Sequence, residues 1–126
     1  MSGSDTIIDI HKETVLLSTP ELVRQLISHL GPTLVATLAG AKDPKLPHKW
    51  AKADGPTPRD NTLPKLQIAH RIWRLISTSD SDAVARAWFI GSNPRLNEES
   101  PIFTIRDGRG DEAHRAAVAF VEGLDE

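Results

Sequence analysis

The feature that most constrains this chain is a closely punctuated stretch near its end, Ala87 to Gly108, where two apolar helical segments are separated by an obligatory break. Trp88 closes an apolar face, and Gly91 is suited to the left-handed conformation that ends a helix. Asn93-Pro94 then blocks continuation and favours a turn. Ser100 is placed to cap a new helix with Pro101 at its first position, where the missing amide costs nothing. Ile102, Phe103 and Ile105 give that short helix an apolar face before it stops at Asp107-Gly108. A chain with this pattern folds as short helices packed across tight turns, and the rest of the sequence supplies the platform.

The platform is also written at helical period. Ser18-Thr19-Pro20-Glu21 has capping-box spacing, and Leu22, Val23, Leu26, Ile27 and Leu30 share one face before Gly31. Pro32 opens a second helix carrying Leu34, Val35 and Leu38, which Gly40 ends. Asp43-Pro44 announces a third, with Leu46 and Trp50, before the loop signal Gly55-Pro56-Thr57-Pro58. Leu63, Leu66, Ala69, Ile72, Trp73 and Ile76 mark a long helix starting at Asn61 or Thr62 and reaching Ser77. After the polar break Ser77 to Ser81, a further helix runs into Trp88. Asp111 begins the last one, whose apolar stripe is Ala113, Ala116, Ala117, Phe120, Val121 and Leu124. Before all of these, residues 1–17 alternate at Ile7-Ile8-Asp9-Ile10 and lack caps, so they read as an arm, partly disordered or packed by association. The expected class is all-α, a small helical bundle.

Composition narrows the function classes. At 126 residues and 39% hydrophobic content the chain buries one modest core. Without cysteine there are no disulfides or thiolate sites, and no apolar run approaches the roughly 18 residues of a membrane span. We therefore expect a cytoplasmic protein with no membrane partner. The net charge of -2 is uneven: Lys42 to Arg74 holds eight basic and three acidic side chains, a net +5, which leaves -7 elsewhere. Either the middle faces a polyanion or it is a solvated helical surface.

No catalytic constellation emerges. His11, His29, His48, His70 and His114 are each eighteen or more residues apart, so none has the spacing of a helical metal site, and each reads as a surface or helix-end residue. There is no phosphate-cradling glycine loop and no nucleophile elbow. Glu98-Glu99 reads as a solvated tip rather than an acid/base pair. We expect no catalytic residues, no cofactor, no metal and no enzyme.

Trp88, Asn93, Pro94, Leu96, Ser100, Pro101, Ile105, Gly108, Val118 and Gly123 together resemble the C-terminal toxin-binding domain of the Xre/MbcA/ParS antitoxin family, over roughly the last third of the chain. Members often carry Gly-Gly or similar where this chain has Asn97-Glu98-Glu99. The resemblance implies a type II antitoxin that binds and neutralises a RES-domain, NAD-consuming toxin through its C-terminal helices and also autoregulates its operon. Toxin contacts are then expected at Asn93, Arg95, Leu96, Ser100, Pro101, Arg106, Leu124, Asp125 and Glu126. The acidic tail either plugs the NAD pocket or frays in water.

The segment 18–77 is similar to a degenerate Xre-type helix-turn-helix, with residues 78–126 as the toxin-binding module. Ala36 and Gly40 are four apart, as the small residue and turn glycine of that motif are, but Pro47 interrupts the recognition helix. A plain helical hairpin packing Trp50 on the core fits the same residues. On the regulator alternative, a DNA-binding protein without a toxin, operator contacts fall at Lys45, His48, Lys49, Lys52 and Arg59. Partners are thus a toxin, operator DNA, or both, within a homo-oligomer or a toxin-antitoxin hetero-oligomer.

Overall fold

The computed structural model describes residues 3–123, and every regular element among them is helical. In order these are α1 (Gly3–Leu16), α2 (Thr19–Leu30), α3 (Pro32–Ala39), α4 (Leu46–Trp50), α5 (Leu63–Ser79), α6 (Asp82–Ile90), a 3-10 turn (Pro94–Leu96), α7 (Pro101–Arg106) and α8 (Gly110–Val121). None is long and apolar enough to cross a membrane.

Helix α5 is the axis. Leu66, Ile68, Ala69, Ile72, Trp73, Leu75 and Ile76 are all buried, which gives the helix an apolar face more than half its circumference wide and demands neighbours on several sides. Helix α8 packs along it most extensively, α1 covers a second side, and α2 and α6 close the rest. Close approach of α8 depends on Gly110: a Cβ there would meet Ile68 Cγ2 at 3.0 Å. Ala113, Ala116 and Ala117 continue the seam with small buried side chains. Phe120 departs from the expected stripe, 36% exposed, because α8 turns Ala119 inward beside it instead.

Local signals explain most boundaries. Ser18 Oγ accepts from the Glu21 amide at 3.3 Å to start α2, and Ser81 Oγ accepts from the Val84 amide at 3.2 Å to start α6. Gly40 takes the left-handed conformation that ends α3, φ 73°. Pro47 falls in the first turn of α4, where proline is tolerated, so the helix starts late and runs for five residues. Arg24 of α2 secures its far end, donating to the Ala51 carbonyl at 2.8 Å.

Three expectations are corrected. The supposed arm is helical from Gly3 to Leu16: Ile7, Ile10, Thr14 and Leu17 form an inward stripe that the local alternation of isoleucines masked. Gly91 ends α6 in an extended conformation, φ -78°, so its use is not a left-handed cap; the chain simply leaves the helix toward Asn93. The division into 18–77 and 78–126 does not separate two cores, since one apolar cluster includes side chains from α2, α3, α5, α6, α7 and α8, and α3 packs on α7.

His70 is the largest surprise inside. Expected at a surface or helix end, it is fully buried on α5, one turn after Leu66 and just before Trp73. Its Nδ1 lies 2.8 Å from Thr14 Oγ1 on α1 and its Nε2 lies 2.8 Å from Gln25 Oε1 on α2. Gln25 Oε1 is an oxygen and accepts from His70 Nε2–H, so the neutral ring leaves Nδ1 as an acceptor for the Thr14 hydroxyl, whose oxygen also lies 3.0 Å from the Ile10 carbonyl. Burial first, then the nearby Arg74 and His29, lower its pKa to about 4, with Glu13 opposing them. The ring is therefore neutral at pH 7 and acts as a polar pin through three helices. Beside it, Trp73 Nε1 donates to Asp82 Oδ1 at 2.8 Å and stacks on His29 at 4.4 Å between centroids, tying α5 to α6 and α2.

Candidate functional site

The segment from Gly91 to Ser100 has no regular hydrogen-bond ladder, and Asn93 replaces one. Its side-chain carbonyl accepts from the Arg95 amide at 2.9 Å, and its main-chain carbonyl accepts from the amides of Leu96 and Glu98, both at 2.9 Å. Its own amide donates to the Glu99 carbonyl at 3.2 Å, closing the loop on itself. Leu96, 4% exposed, plugs the loop into the core. Ser100 occupies the capping position of α7, but its hydroxyl donates to the Ile90 carbonyl at 2.9 Å and staples the loop's exit to the end of α6.

Asn97 and Glu98 lie consecutively in the left-handed region, at φ 56° and φ 68°. Two successive non-glycine residues there are costly, and asparagine is the better tolerated of the two. Glu99, by contrast, is not the solvated tip expected of it. Thr104 Oγ1 donates to its Oε1 at 2.6 Å and Arg109 Nη2 donates to the same oxygen, and these two interactions, the Thr104 hydrogen bond foremost, hold its carboxyl below the usual range. The loop, α7 and the entry to α8 are thereby joined through one carboxylate.

The expected toxin contacts divide cleanly. Asn93, Leu96 and Pro101 are buried and support the loop and the start of α7. Their side chains are spent on satisfying turn amides and filling the core. Arg95 and Arg106 are exposed and Ser100 is half-buried. Arg106 lies over the Phe103 ring at 4.7 Å, with Asp107 Oδ1 3.1 Å from its Nε. Leu124, Asp125 and Glu126 fall outside the described residues. What the loop presents outward is Ser92, Pro94, Arg95, Asn97 and Glu98, flanked by the exposed Ile90. Sequence reasoning marked Asn97 and Glu98 as standing where the resembled family often carries glycines, and Glu98 as part of a solvated tip, but did not assign them a left-handed backbone.

Trp88 is core, 9% exposed, edge-on to Phe89 at 5.5 Å and 6.5 Å from Phe120 of α8. Its Nε1 is buried without a hydrogen-bond partner among the described residues.

The expected DNA contacts, Lys45, His48, Lys49, Lys52 and Arg59, are all exposed. They belong to α4, its flanks and the loop leading to α5. Arg59 lines a groove of about 550 Å³ with Lys42, Trp50 and Lys65, between the α3–α4 connection and α5. Helix α4 is one and a half turns long, roughly 7 Å at the α-helical rise, which limits how many of its side chains reach a groove floor together. No family model, curated protein or solved structure matches this chain.

Proposed function

We propose that this chain is the antitoxin of a type II toxin-antitoxin pair, which binds and neutralises a RES-domain toxin through the surface formed by the 91–100 loop, α7 and α8. The observation that carries this reading is the pair of left-handed residues Asn97 and Glu98. They stand between Leu96 and Ser100-Pro101 at the place where the resembled antitoxins often carry glycines, and their backbone is the one glycine would favour. The departure from the family's glycines is thus compatible with the turn that glycines would favour there. Arg95 and Arg106 supply exposed charge to orient a partner beside the apolar Ile90.

Co-expression tests the proposal. The full chain should rescue growth of cells producing a RES-domain toxin and co-purify with it, and Arg95→Glu combined with Arg106→Glu should abolish both while leaving the melting temperature nearly unchanged. A folded full-length chain that captures no such toxin, encoded beside it or otherwise, sinks the reading. Because α8 leans on α5, a fragment beginning at Ser77 lacks its packing partner, and the whole chain is the proper reagent.

The regulator reading keeps one observation in its favour: five exposed basic side chains or histidines follow one another along α4 and the loop to α5. Its measurement is retardation of promoter DNA in rising salt, where Lys45→Ala with Lys49→Ala should weaken binding to all sequences alike. Sharp preference for one operator would make α4 a true recognition helix.

A further inference from the structure

Helix α1 is held to the molecule from one side. Among the described residues α5 is the only element on which it packs extensively, with Ile10 and Thr14 buried and Ile7 and Leu17 partly covered. Its flanks are tied down as well: Arg71 Nη1 donates to His11 Nδ1 at 2.8 Å, with His114 of α8 within the field of both, and Arg74 Nε donates to Glu13 Oε2 at 2.7 Å. The outward side is the reverse. Ile8, Val15 and Leu16 are 51%, 55% and 84% exposed, three of the five exposed large apolar side chains among the described residues. On a helix these positions and Lys12 fall within about 100° of one another, so the three apolar side chains flank Lys12 in a single stripe. Asp9 borders the stripe three residues before Lys12, yet the two are in no ion pair with each other or with another described residue.

We propose that this face of α1 is an interface with a second copy of the chain, formed by two α1 helices packed antiparallel about a two-fold axis that passes beside Lys12. Such an axis demands a self-complementary surface, in which residue i of one copy meets residue j of the other while j meets i. The stripe has that property. With Lys12 at the axis, Ile8 meets Val15 and Leu16 of the partner subunit, and the same contacts recur on the other side. Lys12 then lies about one helical turn from Asp9 of the partner subunit, within reach of a long side chain, so the ion pair that a single chain leaves unmade forms twice. A lipid surface fits less well, because Asp9 and Glu13 stand beside the stripe where a membrane-bound helix carries a basic rim. Two helices of 14 residues, each about 21 Å long, bury less than the roughly 1,200 Å² of a standard interface, so the dimer is a weak one, with a Kd on the order of 10–100 µM. None of these five residues belongs to the surface assigned to the toxin, and the proposal stands apart from that reading.

The test is sedimentation equilibrium of the full chain at neutral pH and low salt, over concentrations that bracket that range. A reversible monomer–dimer equilibrium is expected. Val15→Ser combined with Leu16→Ser should raise Kd by about tenfold or more while leaving the melting temperature of a dilute sample unchanged, since both side chains stand mostly outside the chain's own core. Lys12→Asp and Asp9→Lys should each weaken self-association. An equimolar mixture of those two variants should form a mixed dimer about tenfold tighter than either variant with itself, because unlike charges then meet at both contacts. A parent chain that stays monomeric throughout overturns the interface, and loss of toxin capture by the serine pair in such a monomer would assign the face to the toxin instead. A dimer indifferent to the serine pair overturns it too, as does a mixture of charge variants that associates no better than its components.

Discussion

The environment of α5 and the loop from Gly91 to Ser100 are stabilised by different physics. Around α5 the interior is apolar, with Leu66, Ile72 and Ile76 wholly buried, and stability there scales with area removed from water. The loop buries only Asn93 and Leu96 and relies on four hydrogen bonds converging on Asn93. Apolar contacts are non-directional and tolerate swaps that keep volume, whereas a turn held by a few directed hydrogen bonds is sensitive to the loss of a single acceptor. His70 is the place where the two modes meet, a directional polar group inside the apolar region.

The largest effect should come from protons at that meeting point. Because burial disfavours the imidazolium, the folded pKa of about 4 lies below the unfolded value of about 6.5, and the unfolded chain binds more protons between those limits. The stability that neutral His70 contributes is complete above pH 6.5 and drains away as pH falls toward 4, for a total of about 3 kcal/mol at 1.36 kcal/mol per pK unit. Urea midpoints measured from pH 7.5 to 4.5 should show this fall, and His70→Gln should remove most of it. His114, whose pKa burial also lowers, adds a smaller slope of the same sign. A flat profile in the parent protein would mean that the ring ionises freely in place.

Next in size is Asn93→Ala, which leaves the Arg95 amide without its acceptor and should cost about 1–2 kcal/mol in denaturant unfolding. Asn93→Asp preserves the oxygen and should cost less. An unchanged midpoint for the alanine variant would show that Leu96 alone anchors the loop, which would erase the contrast drawn with α5.

The smallest effect has the opposite sign. At φ 68°, Glu98 pays a left-handed penalty of about 1–2 kcal/mol, and glycine would return part of it as the extra entropy of its unfolded chain. Glu98→Gly should therefore stabilise by up to about 1 kcal/mol, read as a rise in melting temperature. A fall would assign the Glu98 side chain a stabilising contact of its own.

These two regions were also unequally legible in the sequence. Helices α2, α3, α5, α6 and α8 follow from apolar period and from caps such as Ser18, Gly40 and Ser81, because both signals act within a few residues. Helix α1 was missed since its inward stripe includes Thr14, whose partner His70 is 56 residues away. For His70 the position was legible, one turn from Leu66 on the buried face, while the polar residue type argued the other way. In the loop, Asn93 and Ser100 were singled out correctly as special, yet as contact and cap, because sequence spacing does not show where a side-chain hydrogen bond ends. The backbone of Asn97 and Glu98 was not legible from the residues themselves, as nothing local distinguishes a left-handed glutamate from an ordinary one. The convergence of His11, Arg71 and His114 depends wholly on helix packing.

The seam between α5 and α8 bears on how the chain is made. Synthesis proceeds from the amino terminus, so α1 to α4 and α5 leave the ribosome before the helix that covers Ile68 and its neighbours has been translated. For that interval α5 presents an apolar flank to the cell, and closure waits for Gly110 to bring Ala113, Ala116 and Ala117 onto it. Until that helix docks, the apolar flank of α5 is the kind of transiently exposed surface on which a folding chain associates wrongly.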